Sequence, residues 1–311
     1  MSFYLPPLNR RGFLKVSASA AVSTFSVSRA GVQKRHRMDP HRFAFVSDTH
    51  IMEDPSATAR GINMASHLRR VVEEISEEEL QPAGVIINGD LVTDGSPPTP
   101  GAYRMLARLV DPLRRRGLPL HLTMGNCDRR DLFVKTLEEF RPAAPPVDGR
   151  LVAVLKAARA NFFFLDSLHN AERTITKGSL GQAQLKWLAQ ALDENRGKPA
   201  IVVAHHHVNR PEGSGRTWRE GGLIDGQQLL EVLGPRNQVK AFVFGHTHHL
   251  DHETLDGIHL VSLPTTAYIF DPAEPYGWLD GQLEEDGMVM RLRALDRKHP
   301  RQGEELKLRW R

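Results

Sequence analysis

Phe43-Ala44-Phe45-Val46-Ser47-Asp48-Thr49-His50 is a short apolar run that stops at a carboxylate and an imidazole. A run of this length bounded by polar residues reads as a buried strand. The pattern recurs in VIINGD (Val85–Asp90), LHLTMGNCD (Leu120–Asp128), IVVAHHH (Ile201–His207) and FVFGHTH (Phe242–His248). In open α/β sheets, sites form beyond the carboxyl ends of the strands. Asp48, His50, Asp90, Asn126, His205, His246 and His248 are therefore expected to converge although they are scattered through the chain. Two Asp, one Asn and four His make a set of hard oxygen and imidazole donors, suited to Fe, Mn, Zn or Co rather than to Ca or Mg alone.

Between these strands lie helical patterns, giving the alternation of an α/β protein. Helices are expected over Ala57–Leu80, Tyr103–Arg116, Arg130–Phe140, Gln182–Leu192 and Gly226–Leu233. Leu151–Leu155 and Asn161–Leu165 read as a hairpin pair, and strands at His252–Leu255, His259–Ser262 and Met288–Arg293 as an antiparallel finish. No repeat or interdomain linker interrupts residues 42–311, which read as one domain. The closing RQGEELKLRWR interleaves bases with acids and reads as a solvated strand or tail.

The ordered set DTH, GD, GNCD, AHHH and GHTH resembles the five blocks of the calcineurin-like metallophosphoesterase superfamily, over about Phe43–His249. LDS at Leu165–Ser167 and GSLGQAQLKWL at Gly178–Leu188 resemble its bacterial cyclic-nucleotide phosphodiesterase branch. The resemblance implies an α/β fold in which a two-sheet β-sandwich is flanked by helices, in four α/β/β/α layers. It implies two divalent or mixed-valence metal ions, with Fe, Mn or Zn favoured. Asp48, His50 and His248 would hold the first and Asn126, His205 and His246 the second, with Asp90 bridging. The implied chemistry is attack of a metal-bridging hydroxide on phosphorus. Asp90, Asn126, Cys127, Asp128 and His207 form the expected catalytic set, with Asp128 supporting its block and His207 or His249 available as an acid. His206 is expected to point away from His205 if the backbone stays extended.

Most of that family has a histidine where this chain has Cys127, giving GNHD in place of GNCD. A thiol is a weaker hydrogen-bond donor, and near two cations it is driven toward thiolate, so leaving-group protonation is the weak point. GDLVTD lacks the tyrosine of the purple acid phosphatase branch. The favoured reading is a phosphodiesterase acting on a small-molecule phosphoester. The alternatives are a phosphomonoesterase on nucleotides or phosphosugars, and a metal-loaded binding protein without turnover. Specificity is expected in the loops Pro97–Gly101, Arg141–Arg150 and Val208–Gly222.

Of 311 residues, 40% are hydrophobic and 25% charged, which excludes a disordered chain and a multispanning membrane protein. A single cysteine excludes an internal disulfide framework and a Cys-rich zinc site. Lys and Arg exceed Asp and Glu by 41 to 37. Arg10, Arg11, Lys15 and Arg29 account for that surplus, because residues 1–30 contain no acid. Asn9-Arg10-Arg11-Gly12-Phe13-Leu14-Lys15 resembles the twin-arginine export motif, ahead of a Ser/Ala-rich run too short to span a bilayer. Residues 1–30 read as a signal peptide, 31–41 as a linker, the translocase as a partner, and the destination as periplasmic or secreted. Nothing resembles a nucleic-acid groove. His36, His41, His67, His121, His169, His252, His259 and His299 read as structural, and Asp94 as a cap or turn residue.

Overall fold

Alternation in the opening strand separates two cores. Phe43 and Phe45 join one apolar cluster and Ala44 and Val46 another, because successive strand side chains face opposite ways. The computed structural model describes residues 4–5, 37–92, 97–137, 145–169, 176–209 and 221–310. Its strands are β1 (Tyr4–Leu5), β2 (Arg37–Ser47), β3 (Leu80–Asn88), β4 (Leu120–Thr123), β5 (Ala153–Lys156), β6 (Asn161–Phe164), β7 (Ala200–Val203), β8 (Val239–Phe244), β9 (Asp251–Leu255), β10 (Ile258–Ser262), β11 (Gly277–Leu283), β12 (Gly287–Ala294) and β13 (Glu305–Arg309). Its helices are α1 (Met64–Glu77), α2 (Pro100–Arg115), α3 (Arg130–Thr136), α4 (Gln182–Glu194) and α5 (Gly226–Leu233). One sheet has the order β1-β4-β3-β2-β11-β12-β13 and the other β5-β6-β7-β8-β10-β9.

The sheets face each other across Phe43, Phe45, Phe162, Phe164, Ile201 and Val203. The rings of Phe43 and Phe162 sit 4.8 Å apart, and each fully buried side chain of this size contributes roughly 1.5–3 kcal/mol. Outside them, α1 and α2 cover the first sheet through Leu68, Val71, Leu106 and Val110. Helices α4 and α5 cover the second through Leu185, Leu188, Leu229 and Leu233. The expected four-layer arrangement is thus present. Strands β2, β3 and β4 run parallel, as do β6, β7, β8 and β10.

Several boundaries differ from the sequence reading. Helix α1 starts seven residues after Ala57, because Asn63 caps it by accepting the Ser66 N–H at 2.6 Å. Before the cap, Ala59 and Ile62 exchange backbone hydrogen bonds of 2.9 Å in a tight hairpin. Leu80 opens β3 rather than closing the helix. Pro82 is tolerated there because it pairs with Asp39 beside a bulge in β2. Strand β2 itself begins at Arg37, within the stretch read as a linker. Strand β11 had no counterpart in the sequence reading. Its Gly281 breaks the apolar pattern, yet a Cβ there would come within 2.8 Å of the Phe45 ring. The basic tail is the edge strand β13, with Leu306 and Leu308 buried and charges outward. The signal-like stretch apart from Tyr4 and Leu5, His36, Asp94, Phe140 and much of the loops 141–150 and 208–222 lie outside the described residues.

Asn88 ties the two sheets where β3 ends. Its Nδ2 donates to the Ala204 carbonyl beyond β7 at 2.9 Å, and its Oδ1 accepts from Thr123 Oγ1 in β4 at 2.6 Å. Asn88→Ala is expected to lower unfolding free energy by about 1–3 kcal/mol for each buried partner left unsatisfied. Urea denaturation of metal-free protein measures this, and an unchanged midpoint would remove Asn88 from that role.

Candidate metal centre

The polar residues that follow β2, β3, β4, β7 and β8 meet at one end of the sandwich. Asp48, His50, Asp90, His246 and His248 take positive φ angles of 53°, 45°, 45°, 67° and 56°. Non-glycine residues enter this left-handed region at a cost of roughly 1–2 kcal/mol each. These left-handed residues follow β2, β3 and β8, and there the chain leaves its extended path. Gly125 permits a close approach between loops, since a Cβ there would collide with the Asp90 carboxylate.

Asp48, His50 and His248 each offer a ligand atom within 4.8 Å of the others, as do Asp48, Asp90 and His205. The separations exceed hydrogen-bond length. His248 Nε2 lies 3.4 Å from Asp48 Oδ1, His50 Nε2 3.6 Å from Asp90 Oδ2, and His205 Nε2 3.5 Å from Asp90 Oδ2. Such spacing suits donors that share a cation at about 2.0–2.2 Å. His205 Nε2 and Asn126 Oδ1 are buried without a hydrogen-bond partner. Buried polar atoms are ordinarily paired, so these two fit a metal. The opposite ring nitrogens are anchored, His205 Nδ1 to the Asn88 carbonyl at 3.1 Å and His248 Nδ1 to the Tyr268 carbonyl at 2.6 Å. Anchoring leaves each Nε2 lone pair directed into the site.

Burial acts against every charge here. For Asp48 it raises the carboxyl, but His205 and His248 outweigh it and hold the group down to about 2. Asp90 is likewise held well below the ordinary range, burial being overcome chiefly by His205. His205 is the counterpart: burial disfavours its charge, yet Asp90 and then Asp48 raise it to about 9. Burial and then His205 push His246 down to about 3.

The remaining expected residues sort by contact. Asp128 accepts from the N–H groups of Leu91 at 3.2 Å and Gly125 at 2.9 Å, and from Tyr103 OH at 3.3 Å. It clasps the loops after β3 and β4, and burial followed by Asp90 raises its carboxyl to about 7. The Cys127 N–H donates to Asp90 Oδ1 at 2.8 Å. Its half-buried sulfur joins His50 and Asp90 as a potential ligand group. Burial, then Asp90 and Asp128, push the thiol up, so in the metal-free site it keeps its proton. His207 is only 1% exposed, with its ring 6.1 Å from that of His246 and Nδ1 3.0 Å from the Val208 carbonyl. His249 turns to Glu274 at 3.4 Å.

His206 corrects the extended-backbone expectation. The chain bends there, and its ring packs 4.9 Å from His205 and 4.7 Å from His246. Both its nitrogens are engaged, Nδ1 with Ser167 Oγ at 2.7 Å and Nε2 with the Thr176 carbonyl at 3.0 Å. It forms a wall beside the histidines it follows. Sequence reasoning also missed Ser47, whose hydroxyl donates to Asp48 Oδ2 at 2.5 Å, and Asn88. Their signal was a polar residue directly after a short apolar run, Phe43–Val46 and Val85–Ile87.

The sequence pattern of the calcineurin-like phosphoesterases matches residues 41–250. A 3',5'-cyclic adenosine monophosphate phosphodiesterase, CpdA, of Haemophilus influenzae is 27% identical over 78% of this chain and 86% of its own length. A probable cyclic nucleotide phosphodiesterase of Synechococcus is 29% identical over 78% and 88%. Among solved structures, a dimetal phosphatase from Danio rerio aligns with a TM-score of 0.65 at 17% identity, covering 88% of this chain and all of that one. A purple acid phosphatase from yellow lupin aligns at 0.55 and 13% identity, over 82% of this chain and 51% of its own. These two likenesses support the fold.

Proton and cation compete for His205 Nε2. Mn²⁺ affinity is therefore expected to climb as pH rises from the ordinary imidazole value of about 6.5 to about 9. A raised pKa stabilises the metal-free fold fully below the lower value and is lost through the upper one, so its thermal stability should fall over that window. Calorimetric titration in two buffers of different ionisation enthalpy reads the released proton, and a buffer-independent heat would exclude this coupling.

Proposed function

The chain belongs to the calcineurin-like phosphoesterase family and is a metal-dependent phosphoester hydrolase; from that premise we propose that it is an exported dinuclear-metal phosphodiesterase acting on cyclic nucleotides. The observation that carries metal binding is the pair of buried, unpartnered atoms, His205 Nε2 and Asn126 Oδ1, and the separate grouping of Asp48, His50 and His248 supports a second ion. The diesterase reading is supported by relatives whose names give cyclic-nucleotide phosphodiesterase and whose lengths are matched by more than four fifths. Export is supported by the resemblance of Asn9–Lys15 to a twin-arginine motif and by the acid-free composition of residues 1–30.

Asp48, His50 and His248 would hold one cation and Asn126, His205 and His246 the other, with Asp90 serving both. Bound divalent cations supply Lewis acidity, lowering the pKa of water and stabilising charge on phosphoryl oxygens. The chain supplies placement and dryness. Cys127 N–H fixes one Asp90 oxygen, the His246 N–H approaches the Asp48 carboxylate at 3.2 Å, and Asp128 holds the loops that carry Asp90 and Asn126. At the leaving group, the Cys127 thiol is a weak donor where an imidazolium would be a strong one.

Asp90→Asn is expected to lower Mn²⁺-dependent hydrolysis of bis-p-nitrophenyl phosphate by on the order of 10²-fold or more. Equal activity in the variant, or none in either protein across metals and pH, would sink the proposal. A panel of matched mono- and diesters on protein of measured metal content separates diesterase from monoesterase. Cys127→His is expected to raise turnover of alkyl diesters by about tenfold or more, while aryl diesters, whose leaving groups need no proton, change little. An unchanged alkyl rate would show that position 127 does not limit protonation.

A further inference from the structure

The tight hairpin before α1 carries an arginine at its tip. Arg60 has φ +50° and Gly61 φ +77°, so both central residues are left-handed, as a two-residue type I′ turn demands. Asn, Asp or Gly meets that demand with less strain. The guanidinium carbon lies 4.9 Å from the Phe270 ring centroid and 5.4 Å from that of Tyr268. Among the described residues, no carboxylate lies within ion-pair distance of it.

The same two rings border the candidate metal centre. Tyr268 sits 5.1 Å from the His50 ring and 5.0 Å from the His248 ring, and Phe270 sits 4.7 Å from His248. One aromatic ring therefore separates the guanidinium from an imidazole placed to bind metal. Phe270 is nevertheless 54% exposed, whereas Tyr268 is buried. A hydrophobic ring left in water beside a polar site, under a planar cation that no acid among the described residues neutralises, is suited to a flat ligand group. Heteroaromatic bases stack on both aromatic and guanidinium faces.

We propose that Arg60 and Phe270 form a subsite for the nucleobase of a nucleotide substrate, on the Asp48–His50–His248 side of the centre. The inference rests on the dinuclear phosphodiesterase reading. Arg60 and Phe270 contact the organic group, and the scissile phosphate stays with the metal-binding residues.

Equilibrium binding to Mn²⁺-loaded protein isolates the subsite, because adenosine 5′-monophosphate and inorganic phosphate differ by the nucleoside. The unaltered protein is expected to bind the nucleotide about tenfold or more tightly than phosphate, and Arg60→Ala and Phe270→Leu to shrink that margin about fivefold or more. Phosphate affinity and metal content should remain unchanged in both. A margin kept in both variants, or phosphate affinity falling in step with nucleotide affinity, would overturn the subsite. Nucleotide preference without hydrolysis of any phosphodiester would remove the proposed activity and leave the subsite standing. Diester hydrolysis with equal affinity for the two probes would do the reverse.

Discussion

Asp48 and Asp90 bring their carboxylates to one imidazole, His205 Nε2 lying 3.9 Å from the first and 3.5 Å from the second. All three residues are buried, and two anions so placed repel far more strongly than they would in water. Their ionisation depends on positive charge in the space between them. In the metal-free protein, the proton on His205 and the donors Ser47 Oγ, His246 N–H and Cys127 N–H meet that need. Divalent cations meet it more fully, and the unpartnered Nε2 of His205 is aimed accordingly. The carboxylate pair thus accounts for the histidines around it: anions kept dry require cations, and imidazoles serve as proton carriers or as ligands.

The sandwich makes this arrangement affordable. Of the seven described non-glycine residues with positive φ, five are candidate ligands. Strain gathered at a site persists only where surrounding structure over-determines it. Here the ligand-bearing loops continue strands buried on both faces. Asn88 joins β3 to the Ala204 carbonyl and to β4, and Asp128 clasps the loops that follow β3 and β4. Loss of either residue would move Asp90 relative to His205, so fold stability and metal geometry are coupled through the same hydrogen bonds.

Much of this was legible because a buried strand and a ligand have opposite chemistry. In FAFVSDTH the change from apolar to polar marks the strand end, and five such changes located the candidate ligands. The alternation of Phe with Ala and Val also fits a strand packed on two faces. Periodicity was less informative where local capping or close approach decided. Asn63 displaced the start of α1, a bulge let Pro82 sit in β3, and Gly281 hid β11 by yielding space to Phe45. The direction of His206 was illegible for a related reason. It depends on a bend and on Ser167, thirty-nine residues away, which engages its Nδ1. Arg60 and Phe270 were equally hidden, because their meeting joins two loops that no sequence spacing relates.

Charge completes the connection between sequence and site. The formal surplus of +4 equals the four bases of residues 1–30, so the remainder of the chain is neutral. A neutral body exerts little long-range pull on an anionic ester, and exposed charges are screened within about 8–10 Å at physiological salt. Selective attraction must then be local. Metal ions at the buried carboxylates would supply it where phosphorus sits. Most other arginines near the sheets are committed to acids, as Arg130 is to Asp166 and Arg42 to Asp280. Arg60 instead rests on aromatic rings at the edge of the metal centre. Among the described residues it meets no carboxylate, so its guanidinium lies beside the centre as a cation carried on a ring face.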